Sequence, residues 1–163
     1  MLRRGEVRQP RHNVGRVIAF ADGSSGRVYR ETAVDVVPVE PSVLVVSFRL
    51  RLVSGRAHPL FRAESVLNTP LFVGFPGFCS KLWLAHDERE LYRGLYEWDE
   101  PGQAETYAKS LWRVLELVSQ RGSIGYRVLP GLRRDEVLDD PGLLDGRAAP
   151  DAAGSSWWRP VPA

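Results

Sequence analysis

Lys81 stands inside an apolar run, Cys79-Ser80-Lys81-Leu82-Trp83. A lysine that points inward from such a strand loses its hydration, its pKa falls, and its amine becomes a base or a nucleophile. The same side chain could instead pair with Glu97 on an adjacent strand, as an ordinary cross-strand ion pair. A second group follows at Tyr92, Arg93, Tyr96, Glu97 and Trp98. Strand alternation puts Arg93 and Glu97 on one side and Tyr92 and Tyr96 on the other. Arg93 could hold an enolate or phenolate oxygen through charge-assisted hydrogen bonds. Tyr92, Tyr96 and Tyr126 offer proton donors to a ligand oxygen. Trp83 and Trp98 could stack on a planar substrate or serve as core packing. The stretch from Thr69 to Phe78 carries Phe72, Phe75 and Phe78 among Gly74, Pro70, Pro76 and Gly77. It reads either as the wall or lid of an apolar pocket or as a loop pinned to the core by its rings.

Other chemistries find no support. The chain has no nucleophile–histidine–acid spacing, phosphate-cradling glycine motif, metalloprotease helix or EF-hand loop. Its three histidines, His12, His58 and His86, fall in a tail, beside a proline and in a charged turn. They make no three-ligand metal site, and His58 is a surface residue or, as a lesser alternative, lies at a cavity mouth. Cys79 has no histidine beside it and reads as a small buried residue rather than a nucleophile. The expectation is therefore no metal and no cofactor.

The elements that must position these residues are legible as periodicities. Residues 1–13 lack any and read as a disordered basic tail. Val14–Phe20 and Arg27–Val37, separated by Ala21-Asp22-Gly23-Ser24-Ser25-Gly26, predict a hairpin. Val43–Val53 predicts a strand, with Val46, Phe48, Leu50 and Leu52 on one side and Ser47, Arg49 and Arg51 on the other. Pro59–Asn68 predicts a short helix. Phe78–Ala85 and Leu91–Trp98 predict an antiparallel pair across a short polar turn. Residues 101–120 predict the main helix: Pro101 suits its first position, Asp99 or Glu100 can cap it, and Gly122 stops it. Ala104, Tyr107, Ala108, Leu111, Leu115 and Val118 form its apolar face. Ile124–Leu129 predicts the last strand, and residues 132–163 predict an extended or disordered tail. Trp157-Trp158 is the exception, expected to dock on the body or on a partner.

Length and charge bound the answer. The chain has 163 residues and a net charge of +2, room for one domain of ordinary size. No apolar run is long enough to span a membrane, and no secretory signal follows the basic start. One cysteine excludes an intrachain disulfide and fits a cytoplasmic location. Five arginines against one glutamate make residues 1–16 basic, whereas residues 132–163 are acidic and the body between is neutral. A nucleic-acid binder presents a basic face on its folded body, so nucleic acid is not an expected partner.

From Val43 the order is strand, helix, strand, strand, helix, strand, which predicts an α+β fold. Its form is a ferredoxin-like antiparallel sheet with two helices on one face, plus the N-terminal hairpin at 14–37. The single domain spans 14–131, with the ferredoxin-like core at 43–131. Apolar residues on both faces of the sheet call for a second cover. A homodimer would supply one; the alternative is that the N-terminal hairpin folds over it.

Gly77-Phe78-Cys79-Ser80-Lys81-Leu82-Trp83, then Tyr92-Arg93-Gly94-Leu95-Tyr96-Glu97-Trp98 and the Ala-bearing helix, resemble the YdhR-type monooxygenases of the dimeric α/β-barrel superfamily. The resemblance covers residues 43–131. It implies a homodimer with a cavity between helices and sheet. It also implies a cofactor-independent oxygenation of an apolar, aromatic or polyketide-like small molecule. Under that reading Arg93, Tyr96 and Lys81 take the polar roles, and Phe72, Phe75, Trp83, Trp98, Tyr92 and Tyr126 surround the substrate. Two other functions remain open: a cyclase or similar non-redox shaping enzyme of secondary metabolism, and a non-catalytic ligand-binding or structural dimer.

Overall fold

The computed structural model describes residues 7–34, 38–49, 77–85, 91–118, 122–144 and 157–162. Eight strands form one antiparallel sheet: β1 (Val7–Arg8), β2 (Val17–Phe20), β3 (Ser25–Val34), β4 (Ser42–Arg49), β5 (Phe78–Leu84), β6 (Leu91–Trp98), β7 (Gly125–Pro130) and β8 (Pro160–Val161). Two helices, α1 (Pro101–Val118) and α2 (Arg134–Asp139), and a 3₁₀ turn at Pro141–Leu144 complete the described elements. The strand order β7-β4-β6-β5 is that of a ferredoxin-like core, and β3, β2 and β8 extend it past β5, with β1 also on β3. The helix expected at 59–68 lies outside the described residues, as do Leu50 and Leu52.

Alternation sorts the side chains of the central strands onto two buried faces. Leu44, Val46 and Phe48 share one face with Trp83, Tyr92, Tyr96 and Trp98, and the apolar stripe of α1 (Ala104, Tyr107, Ala108, Leu111) lies on it. Val43 and Val45 share the other with Leu82, Leu84, Leu95 and Leu129. α1 begins at Pro101, as its missing N–H allows. Beyond its end Gly122 takes φ +77°, a conformation costly for residues with a Cβ. The Asp99 carboxylate accepts the Val39 backbone N–H at 2.6 Å and ties the segment before β4 to the end of β6.

The second face is covered by the chain itself. Leu132, Val137, Leu138, Leu144 and Trp158 are all buried against it. The N-terminal hairpin shares in the cover, since Ile18, Phe20 and Val28 lie in the same cluster, so the bare face that called for a homodimer is closed within the chain. The stretch expected as an extended tail holds α2, the 3₁₀ turn and β8, which pairs with β2 through Ala19↔Val161 and Phe20↔Pro160. Part of the expected N-terminal tail is also structured: β1 pairs with β3, and Asn13 is 2% exposed.

Candidate active site on the helix face

β5 and β6 run antiparallel with Lys81 directly opposite Tyr96 and Trp83 opposite Gly94. This register sets Lys81 on the face of the sheet that carries Trp83 and Tyr96. Its ammonium nitrogen lies 3.5 Å from the Trp83 ring centre and 4.7 Å from that of Tyr96. Room for the lysine stem comes from Gly94. A Cβ there would stand 2.9 Å from the Tyr96 ring and 3.2 Å from Lys81 Cε. Burial, reinforced by the Arg30 charge, drives the Lys81 amine well below the usual lysine value. Arg30 itself stands over Trp83 at 5.1 Å, and Thr32 accepts the Trp83 indole N–H at 3.3 Å.

The phenols beside it move the opposite way. Tyr96 and Tyr107 share a hydrogen bond of 3.1 Å between their hydroxyls, in an aromatic group with Trp98. Burial pushes Tyr107 up to about 12, and burial first, then the neighbouring Tyr107, holds Tyr96 well above the usual phenol value. An amine pushed toward its neutral form and phenols held in their protonated form thus lie side by side. Pairs of titratable groups driven apart in this way are the basis of acid–base assignments in enzymes. Tyr107 escaped the sequence reading because, at its helical spacing, it counts as one apolar-face residue among six. Its inward phenol is what the pattern does not convey.

Not every expected site residue joins this cluster. Tyr92 and Trp98 do, with Tyr92 stacked on Phe48 at 5.7 Å. Tyr126 lies at the rim on β7, where its hydroxyl donates to Glu105 of α1 at 2.5 Å and its ring meets Trp112 edge-on. Phe72 and Phe75 lie outside the described residues. Cys79 is buried, its thiol pushed up to about 12 by burial first and by Glu97 and Asp99 next, which leaves it unreactive.

Arg93 must be removed from the cluster. Its parity on β6 sends it to the opposite face, with its side chain 1% exposed. There it donates to Ser24 Oγ at 2.5 Å, lies 3.6 Å from Asp22 and stacks over Phe20 at 4.3 Å. It anchors the β2–β3 turn. Glu97 takes the same face, so the alternative Lys81–Glu97 pair does not form. Its carboxylate instead accepts the first N–H of α2 at 3.0 Å and Arg133 at 3.1 Å. Arg93→Ala is accordingly expected to cost about 3 kcal/mol of stability, the scale of a broken buried pair, while turnover per folded molecule is unchanged. Denaturant titration and a folded-fraction-corrected rate would check both halves.

Two further features lie away from Lys81. A cleft of about 560 Å³, bordered by Arg16, Ile18, Leu138, Pro141 and Pro160, sits between β2, β8 and α2 and touches none of the expected site residues. His12, Glu31 and Asp135 bring potential metal-ligating atoms within 4.8 Å of one another. The cation these carboxylates face is the buried Arg134 guanidinium, 2.9 Å from Glu31 and 3.2 Å from Asp135. The group is an ion-pair network.

The comparisons with known proteins bear on the fold. No protein-family model matches the chain. No curated protein matches it either. Among solved structures it is similar to an uncharacterized ferredoxin fold protein related to antibiotic biosynthesis monooxygenases, from Listeria monocytogenes 4b F2365. That likeness has a TM-score of 0.51 and 11% identity, over 78% of this chain and 92% of that one. The chain has the ferredoxin-like fold. An anthrone oxidase-like protein is also similar, at TM-score 0.47 and 10% identity over 68% of this chain and 55% of that one. The likeness extends to the fold and does not single out the YdhR-type proteins. No described helix is long and apolar enough to cross a membrane.

Proposed function

We propose that the chain is a small-molecule oxygenase of the monooxygenase-like ferredoxin-fold type, acting on an apolar aromatic or polyketide-like substrate at the helix face. The observation that carries this reading is the buried Lys81 amine set against Trp83 and Tyr96, with Tyr107 hydrogen-bonded behind Tyr96. A neutral amine can accept a proton from an activated C–H of the substrate. A protonated phenol can donate to the oxygen on which the resulting negative charge settles, in a site dry enough for that bond to count. The carbanion then supplies the electrons that reduce oxygen. An activated methylene and O₂ become a carbonyl and one water, so atoms and electrons balance. Trp83 and Trp98 offer flat apolar surface for a fused-ring substrate.

The test is oxygen uptake by the full chain with a panel of fused-ring phenols that carry an activated methylene. One O₂ consumed per substrate, with a ketone as product, is the expected result. Tyr96→Phe should lower kcat by about a hundredfold, the scale of one lost oxyanion donor. Substrates that bind without any oxygen consumption would remove the oxygenase reading.

A further inference from the structure

We propose that Lys81 is a covalent attachment site for small carbonyl compounds, aldehydes and 1,3-diketones, which its amine captures as an imine beside the Trp83 and Tyr96 rings. The proposal shares with the oxygenase reading an uncharged Lys81 amine and needs none of its oxygen chemistry.

An ordinary lysine is a poor nucleophile at neutral pH, because less than about 0.1% of it lacks the extra proton. Amines that attack carbonyls are held in apolar surroundings or beside a second cation. Lys81 has both. The residue is 8% exposed, and its nitrogen lies 3.5 Å from the Trp83 ring centre. The second cation is Arg30, which stands over the same indole at 5.1 Å. Sharing one ring keeps the two groups within about 10 Å, the screening length of 0.1 M salt.

Arg30 reaches this face because β3 is irregular. Val28 pairs with Leu84 and Arg30 with Trp83, so Tyr29 is an extra residue in the ladder. Plain alternation would give Arg30 the face of Val28 and Leu84, under α2. The bulge turns it to the face of Trp83 and sends Glu31 to the other, where Glu31 meets Arg134. Bulges are frequent beside reactive sites, where they re-aim a side chain in this way. Among the described elements the other ionisable groups on the Lys81 face are phenols: Tyr29 of β3, Tyr92 and Tyr96 of β6, and Tyr107 of α1. Tyr126 and Glu105 are joined at its rim.

The Lys81 nitrogen adds to the carbonyl carbon, and the carbonyl oxygen takes one of its protons to give a carbinolamine. Departure of the hydroxyl as water needs an acid. Tyr96, its ring 4.7 Å from the amine and its hydroxyl bonded to Tyr107, supplies that proton. The nitrogen then returns its remaining proton to the phenolate. One carbonyl and one amine thus become one imine and one water. With a 1,3-diketone the imine shifts to its conjugated enaminone form.

The chain has two lysines, Lys81 and Lys109, so each serves as reference for the other. The Lys109 side chain is 69% exposed on α1. The folded full chain is treated at neutral pH with butanal and cyanoborohydride, which reduces an imine to a stable secondary amine, and its peptides are mapped by mass. Lys81 should be labelled about tenfold faster than Lys109 or more, and prior treatment with pentane-2,4-dione should block it. Arg30→Gln should slow labelling of Lys81 by about threefold or more and leave Lys109 unchanged, and Arg30→Lys should restore the rate. Equal labelling of the two lysines, or label at Lys109 alone, would overturn the proposal. Trapping at Lys81 without oxygen uptake would keep the imine site and remove the oxygenase; oxygen uptake with Lys81 unlabelled would do the reverse.

Discussion

Lys81→Met is expected to abolish turnover, by about a thousandfold or more, while making the protein harder to melt at neutral pH. The rate loss follows from removing the base, since positioned proton transfer contributes roughly a hundred- to ten-thousandfold. The stability gain follows from linkage. The folded-state pKa of Lys81 lies well below its ordinary value of 10.5. The unfolded chain therefore binds a proton that the folded chain refuses over the interval between the two values. Folding stability falls as pH drops from the ordinary value toward the folded one, and is level below that. Methionine, of similar length and without charge, carries no such penalty. Thermal melts of both proteins at neutral pH and above the ordinary lysine value should show the difference shrinking as the solution becomes alkaline. A methionine variant that melts far lower than the parent at neutral pH would mean that the amine is charged and paired, and would end its role as base.

Arg134→Ala carries the largest expected stability loss. Its guanidinium, 3% exposed, meets Glu31, Ser80 and Asp135, and Glu31 is itself 2% exposed. Removing the cation strands a buried carboxylate, which costs about 3–5 kcal/mol. For a chain of this size that corresponds to a melting temperature lower by about 10 °C or more. The double variant Glu31→Gln with Arg134→Met removes the stranded charge and should recover much of the loss. Equal loss in single and double variants would show that packing, not charge, is what Arg134 supplies.

Asp135 adds an acid limb. Burial alone would raise its carboxyl, but the Arg134 charge and the His12 contact hold it below the ordinary value of 3.8. Its share of stability is present above that value and fades as pH falls through the folded one. In Arg134→Ala that limb should move to higher pH.

The elements that carry Lys81 were legible because each keeps one period over most of its length. β6 alternates from end to end, β5 alternates after the register shift at Phe78/Ser80, and α1 repeats at three and four between Pro101 and Gly122. Parity also separated Arg93 and Glu97 from Tyr92 and Tyr96 before any coordinates. The sequence reading nonetheless assigned both sets to one site, because the chemistry of an arginine beside tyrosines is attractive whichever way it points. The cover over the second face could not be read locally. α2 has six residues, and no side chain at its own N-cap position bonds its backbone. The carboxylate that receives it comes from Glu97, on a strand that only the folded sheet brings near. Asn13 behaves alike, buried by contacts with Glu31, 18 residues along the chain, and Asp135, 122 residues along it.

β2 takes a strand partner, β8, that follows it by some 140 residues of sequence, and that late arrival matters for a nascent chain. Until residues 132–144 and 157–162 have been added, the half-built sheet must hold its valines and leucines against water with only part of their cover in place. Such an interval favours capture by chaperones and mistaken association between neighbouring nascent chains. Sealing of the interior thus waits on segments made well after the sheet they cover, and yield in a cell should depend on how quickly those segments arrive.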